Sequence, residues 1–302
     1  MSSQFTLTLI AGEIPQRAIS VVQEICQRLG INLDHTSCLS NGKRLSTQAL
    51  QFSFRYDEEL TKLKQTLVNY SREWEIDAVV QKARNQKIGL ACFDMDSTLI
   101  KAEVIDLLAA HAGIGKKVEA ITERAMRGEL DFNQSFTERM QLLKGLDANV
   151  IDDIASNLPI MDGCERLFKN LNKHNVYTAI LSGGFDYFAN TLQRKFNIDS
   201  VLANTLDTYS NQLTGKAIPP IINADQKRVE LLRLRKIKQL DPDSTMAVGD
   251  GANDLAMLDS AGLGVAFRAK PIVQSQASAV LNHNGLDALL FLLGFNDRQI
   301  TP

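Results

Sequence analysis

Ile88-Gly89-Leu90-Ala91-Cys92-Phe93-Asp94-Met95-Asp96-Ser97-Thr98 sets an unbroken apolar run directly before two aspartates and two hydroxyl residues. A short run that is apolar at every position is what a strand buried on both faces of a parallel sheet requires. The same design recurs twice downstream. Val176-Tyr177-Thr178-Ala179-Ile180-Leu181 delivers Ser182-Gly183-Gly184, and Thr245-Met246-Ala247-Val248 delivers Gly249-Asp250-Gly251-Ala252-Asn253-Asp254. Helical patterns separate the three runs, so the expected fold class is α/β with a parallel sheet. Ligands of such sheets bind at the carboxyl ends of strands, which predicts one site shared by the three polar segments.

Working outward, Lys101 to about Leu158 carries several helical patterns and little strand character. A connection of that length predicts an inserted all-helical cap rather than a single crossover helix. Beyond Pro159 the alternation resumes with helices Gly163–His174 and Asp186–Phe196, then Ser200–Asp207 and Gln212–Ile218 as a hairpin around Tyr209-Ser210-Asn211. A helix over Asp225–Lys238 and a short strand Gly264–Phe267 follow. Upstream, Gln4–Ile10 reads as a strand, and Pro15 opens a helix whose apolar residues recur to Gly30. Ile31–Cys38, Ala49–Phe54 and Ile76–Val80 read as strands, with an amphipathic helix over Asp57–Trp74. The order β-α-β-β-α-β is ferredoxin-like. The division read from these patterns is a first domain over 1–81, a polar connection Lys82–Lys87, and a second domain over 87–302 with its cap at 101–158.

Hydrophobic residues at 44% and charged residues at 23% give ordinary globular composition, which argues against long disorder. A net charge of −2 supplies no general attraction to nucleic acid or anionic membranes, so an anionic ligand needs a local site. Cys26, Cys38, Cys92 and Cys164 form no CxxC pair and read as buried thiols in a reducing compartment. The amino terminus lacks a basic region followed by a signal-type apolar stretch. The run Leu286–Phe295 is too short to span a bilayer. A soluble, cytoplasmic protein is expected. His111, His174 and His283 show no metal-ligand spacing, and His35 lies in the first domain.

Asp94 and Asp96, two apart at a strand's end, project to one side of the pleat. With Asp250 from another strand they repel one another unless a cation sits among them, and an all-oxygen set suits Mg²⁺. Alone, Asp-x-Asp-x-Thr is a weak signal. Here it stands with Ser182-Gly183-Gly184, Lys227 and Gly249–Asp254 in a consistent strand–helix order.

That set resembles the haloacid-dehalogenase-type phosphatases, most closely their phosphoserine-hydrolysing branch, from about Lys87 to the carboxyl end. The resemblance implies a Rossmann-like core with an inserted cap. It implies that Asp94 is the nucleophile and Asp96 the acid, then base. It implies Mg²⁺ held by the Asp94 side chain, the Asp96 backbone carbonyl and Asp250, with Asp254 supporting it through water and Asn253 close by. Ser182, the Gly183 and Gly184 backbone and Lys227 are implied donors to the transferring oxygens. Asp96 must stay protonated near neutrality to act as an acid; neighbouring carboxylates favour that, whereas Mg²⁺ and Lys227 oppose it.

The resemblance extends into the cap through Lys101–Asp106, Asp131–Phe136 and Glu138–Leu143. It implies that Glu103 binds a substrate ammonium, Arg139 its carboxylate, and that Phe132 closes over the substrate. Such opposed charges match a zwitterionic amino acid and reject a neutral sugar alcohol. Two alternatives are a phosphatase or phosphotransferase for another small phosphorylated amino acid or alcohol, and a non-enzymatic amino-acid-binding regulator. The first domain resembles an ACT domain, which implies serine or another amino acid as effector, or a homodimer. Its turn, Gly12-Glu13-Ile14-Pro15-Gln16-Arg17, lacks the matching glycine of amino-acid-binding ACT domains.

Overall fold

The computed structural model describes residues 3–84 and 86–302. The first sheet is antiparallel, built from β1 (Ser3–Ala11), β2 (Leu33–Asn41), β3 (Gln48–Tyr56) and β4 (Asp77–Lys82) in the order β2-β3-β1-β4. Helices α1 (Gln16–Arg28) and α2 (Thr61–Trp74) complete the ferredoxin-like order. The strands alternate. Leu7, Leu9, Phe52 and Phe54 bury against the helices, while Ile10, Ala49 and Val79 of the opposite face join the large core that continues into the rest of the chain.

The second sheet has seven strands in the order β11-β10-β9-β5-β6-β7-β8. They are β5 (Leu90–Phe93), β6 (Tyr177–Phe185), β7 (Ser200–Tyr209), β8 (Gln212–Ile218), β9 (Thr245–Gly249), β10 (Leu263–Phe267) and β11 (Ala279–Leu281). All neighbours are parallel except the hairpin β7–β8. Leu90 to Phe93 are fully buried, as their apolar run demands. From β5 the chain steps to β6 and β7 on one side, then returns to β9 on the other. That reversal makes the carboxyl ends of β5, β6 and β9 a topological switch point, where the sheet opens a crevice.

Between β5 and β6 lie α3 (Val104–His111), α4 (Gly115–Met126), α5 (Phe132–Leu142), α6 (Asn149–Ser156) and, after Pro159, α7 (Cys164–Lys173). Helix α8 (Asp186–Phe196) follows β6 at once, and α9 (Ala224–Ile237) follows the hairpin. Short helices α10 (Leu255–Ser260), α11 (Pro271–Gln276) and α12 (Leu289–Leu292) finish the fold. The run from Leu286 becomes one short helical turn and α12, with Leu289 to Leu292 buried in the core. Among the described residues no helix is long and apolar enough to cross a membrane.

Two expectations need correction. Cys38 is exposed on β2, an edge strand with one open side, so only Cys26, Cys92 and Cys164 are buried thiols. Strand β6 does not stop at Leu181 but runs to Phe185 through a bulge, because the β7 neighbour continues to hold it. Within the connection after Lys82, Gln86 is held by the second domain: Ser244 Oγ donates to Gln86 Oε1 at 2.7 Å and Gln86 Nε2 donates to Asp241 at 3.0 Å.

Candidate active site

At the end of β5, Asp94 N–H still donates to Val248 O of β9 at 2.9 Å, so its backbone is fixed by the sheet. The chain then turns tightly. Thr98, Leu99 and Ile100 N–H groups all reach Met95 O, and Ser97 takes a left-handed φ of 57°. This turn holds Asp96 below the start of α3, where its Oδ1 accepts the otherwise unpaired Val104 N–H at 3.0 Å. Asp96 Oδ2 faces Gly184, so closely that a Cβ there would collide with it and with Met95. Glycine at 184 is therefore a space requirement.

The bulge in β6 builds the second wall. Pairing with β7 jumps from Leu181↔Leu202 to Phe185↔Asn204, leaving three residues of β6 opposite the single Ala203. Ser182, Gly183 and Gly184 are thereby released from the ladder towards the crevice. The Ser182 hydroxyl is fully buried and its Oγ accepts Gly184 N–H at 2.9 Å.

Lys227 on α9 is fully buried and bridges two carboxylates, donating to Asp94 Oδ1 and Asp254 Oδ1 at 2.8 Å each. Burial alone would strip its proton, but the Asp254 and Asp94 charges outweigh that and raise its pKa. Asp254 Oδ2 accepts Gly251 N–H at 3.0 Å, and Asn253 packs against Gly251. One carboxylate oxygen from each of Asp94, Asp250 and Asp254 lies within 4.8 Å of the others. Burial, then the Asp94 charge, pushes Asp250 up to about 8 and Asp254 up to about 6. Three crowded carboxylates with one buried lysine leave excess negative charge, and their hard oxygen donors fit a divalent cation. The Asp96 carboxylate is not in this group. Burial, then Glu103 and Asp94, raises its pKa well above the usual range despite Val104 N–H and Lys227.

The metal-free protein should therefore lose stability as pH rises. Between the ordinary 3.8 and the raised values of about 6 and 8, the folded chain holds protons that the unfolded chain releases. Asp96 and Glu103 are raised too and act in the same direction. Thermal melts in chelator should show the midpoint falling from about pH 5 to about pH 8, with a divalent cation flattening the fall. A chelated midpoint that rises over that interval would contradict this electrostatic picture.

Three further predicted residues come from helices above the crevice. The first turn of α5 is set by a capping box, in which Asp131 Oδ1 accepts Gln134 N–H at 2.8 Å and Gln134 Oε1 accepts Asp131 N–H at 2.9 Å. Phe132 and Arg139, seven residues apart, then share one face of α5. The Phe132 ring covers Gly183, and it stacks on Phe136, which meets Phe185 of the core. Arg139 makes no ion pair within 4 Å among the described residues; its Nε donates only to Ser135 O of its own helix, at 3.3 Å. Desolvation favours its neutral form while Glu103, Asp106 and Asp96 favour its charge. Glu103 accepts from Ser97 Oγ at 3.0 Å, and its pKa is raised by burial and by Asp94. Lys116, Lys117, Glu119 and Glu123 are exposed on α4.

Sequence reading missed Asn204, buried on β7 beside Gly183, and Asp106, which faces Arg139. A polar residue closing the apolar run Val201-Leu202-Ala203 was the available signal for Asn204. A cleft of about 730 Å³ between α2 and α11 touches none of these site residues. The crevice itself is covered by Phe132.

Residues 88–262 match the family model described as haloacid dehalogenase-like hydrolase. A phosphoserine phosphatase of Haemophilus influenzae is 47% identical over 210 residues, 70% of this chain and 67% of that protein. A phosphoserine phosphatase of Saccharomyces cerevisiae is 36% identical over 308 residues, covering 99% of this chain and 98% of that protein. Among solved structures, a haloacid dehalogenase family hydrolase of Salmonella enterica serovar Typhi superposes with a TM-score of 0.85 at 30% identity, over 96% of this chain and 98% of its own.

Proposed function

The chain belongs to the haloacid dehalogenase-like hydrolase family, and from that premise we propose that it is a phosphoserine phosphatase, releasing L-serine and phosphate from O-phospho-L-serine through a phosphorylated Asp94. The observation that carries this is the end-to-end likeness to the yeast phosphoserine phosphatase, 36% identity across 99% of the chain. The reaction is the last hydrolysis on the phosphorylated route to serine, which suits a cytoplasmic enzyme.

Asp94 attacks phosphorus while Lys227, hydrogen-bonded to its Oδ1, fixes its rotamer. The Ser182 hydroxyl, whose Oγ accepts Gly184 N–H, the Gly183 and Gly184 backbone that shapes this turn, and the Lys227 ammonium offer donors and charge to the transferring oxygens. Asp96 keeps its proton because it is buried among carboxylates, so it can give that proton to the departing serine oxygen. The resulting carboxylate then takes a proton from the water that opens the phosphoaspartate, which returns both aspartates to their starting states. Asp94, the Asp96 carbonyl, Asp250 and Asp254, with Asn253 close by, would hold Mg²⁺, whose charge would offset that of the phosphoryl group.

Arg139 grips the substrate carboxylate through its forked guanidinium, Glu103 receives the ammonium, and Phe132 excludes water from the phosphoryl group. Residues 1–81 form a regulatory or dimerisation unit on this reading, with serine or another amino acid as its effector. Phosphate release from phosphoserine, measured with Mg²⁺ and again after chelation, tests the function directly: fast metal-dependent release supports it, and none from folded protein contradicts it. Arg139→Ala should cut kcat/KM for phosphoserine by about 100-fold while changing that for phosphoethanolamine, which lacks the carboxylate, by no more than about 3-fold. Equal losses on both substrates would remove the carboxylate role.

A further inference from the structure

The released Ser182–Gly184 segment raises a question of aim. A loop freed from its ladder has no reason to hold its N–H groups towards a ligand unless its carbonyls are tied elsewhere. The tie is Asn204. Asn204 is 1% exposed, and its Nδ2 donates to Gly183 O at 2.8 Å. In a trans peptide the carbonyl and the next N–H point in opposite directions. Drawing Gly183 O towards β7 therefore turns Gly184 N–H away from β7 and onto Ser182 Oγ, which accepts it at 2.9 Å and keeps its own hydroxyl proton to give.

The same amide reaches a second segment. Asn204 Oδ1 accepts Ile222 N–H at 2.8 Å, and Nδ2 also reaches Ile222 O at 3.4 Å. The next residue, Asn223, starts α9: its Oδ1 accepts Asp225 N–H at 3.0 Å and its carbonyl accepts Lys227 N–H at 3.1 Å. One buried amide thus binds the loop that carries the Ser182 hydroxyl and the helix that carries the ammonium.

We infer that Asn204 is a positioning residue for phosphoryl transfer, holding Gly184 N–H on Ser182 Oγ so that the Ser182 hydroxyl proton is left for the phosphoryl group, and seating the Lys227 helix at one distance from it. It touches no reacting atom. This rests on the phosphatase reading above and sharpens it, by assigning the aim of the phosphate cradle to a residue of β7. An amide present only to satisfy buried backbone groups would matter equally to every part of the substrate. A positioning amide matters to the phosphoryl group and leaves the serine end untouched.

The test compares Asn204→Ala, which removes both arms, with Asn204→Asp, which keeps the Oδ1 acceptor for Ile222 and loses the donor to Gly183. Rates are taken per folded protein, with inhibition by inorganic phosphate and by L-serine measured separately. Loss of one aimed donor, the Ser182 hydroxyl, is expected to lower kcat by about 100-fold in both variants, close to the effect of removing one oxyanion-hole donor. Inhibition by inorganic phosphate should weaken by about 10-fold while inhibition by serine stays within about 2-fold. The assignment fails if Asn204→Asp matches the parent kcat, if phosphate and serine inhibition weaken together, or if neither variant folds. A parent protein that hydrolyses no phosphate monoester sinks both the phosphatase reading and this one. An active parent with unaffected variants sinks only the role of Asn204.

Discussion

Asp94→Asn should abolish turnover of phosphoserine, with a fall in kcat of at least about 10⁴-fold, while the protein folds as before. Asparagine matches aspartate in shape and keeps an oxygen for the Lys227 ammonium, which the native Oδ1 meets at 2.8 Å. It lacks the carboxylate proposed as the nucleophile, so on that mechanism no acyl phosphate can form. Removing the charge also relieves Asp250 and Asp254, both held up in part by Asp94. The metal-free variant should accordingly melt no lower than the parent at neutral pH. Phosphate release and thermal melts on the same preparation check both halves. A variant with parental activity would remove Asp94 from the chemistry.

Lys227→Met should damage fold and activity together. Lys227 is fully buried between Asp94 and Asp254, so its loss strands two desolvated carboxylate oxygens. Breaking a buried pair from one side costs about 3–5 kcal/mol, because the partner charge stays behind without compensation. The stability loss should shrink at low pH, where the stranded carboxylates take up protons instead. Turnover should drop by roughly 10³-fold or more, since the proposed mechanism has the Lys227 ammonium face the transferring oxygens. Lys227→Arg should not restore it, because a planar fork cannot replace a compact ammonium in a closed pocket. Parental stability with parental turnover in Lys227→Met would contradict the clamp.

The difference between these side chains and Asn204 shows what a sequence discloses. Asp94, Asp96 and Asp250 stand at the ends of wholly apolar runs, and such runs become central parallel strands because only apolar residues fill a strand covered on both faces. Helix α8 was legible to the residue, Asp186 to Phe196, because its apolar spacing is regular and Asn197 closes it in a left-handed turn. Lys227, Glu103 and Arg139 look like ordinary helical charges, and only the family resemblance gave them roles. Asn204 was invisible because its partners, Gly183 and Ile222, lie 21 and 18 residues away. The same reason hid Asp77, whose carboxylate accepts the N–H groups of Asn282, His283 and Asn284 at 2.7 to 3.2 Å and pins the first sheet to β11. The β6 bulge was missed because its extra residues are fixed by β7, not by their own pattern.

The most direct test of the central claim is a single-turnover reaction with phosphoserine labelled in its phosphoryl group, quenched in acid and digested with trypsin. The account predicts a transient label on the peptide Ile88–Lys101, at Asp94, that appears before free phosphate and decays into it. Phosphate released at full rate with no labelled protein, or a label on any other peptide, would contradict it.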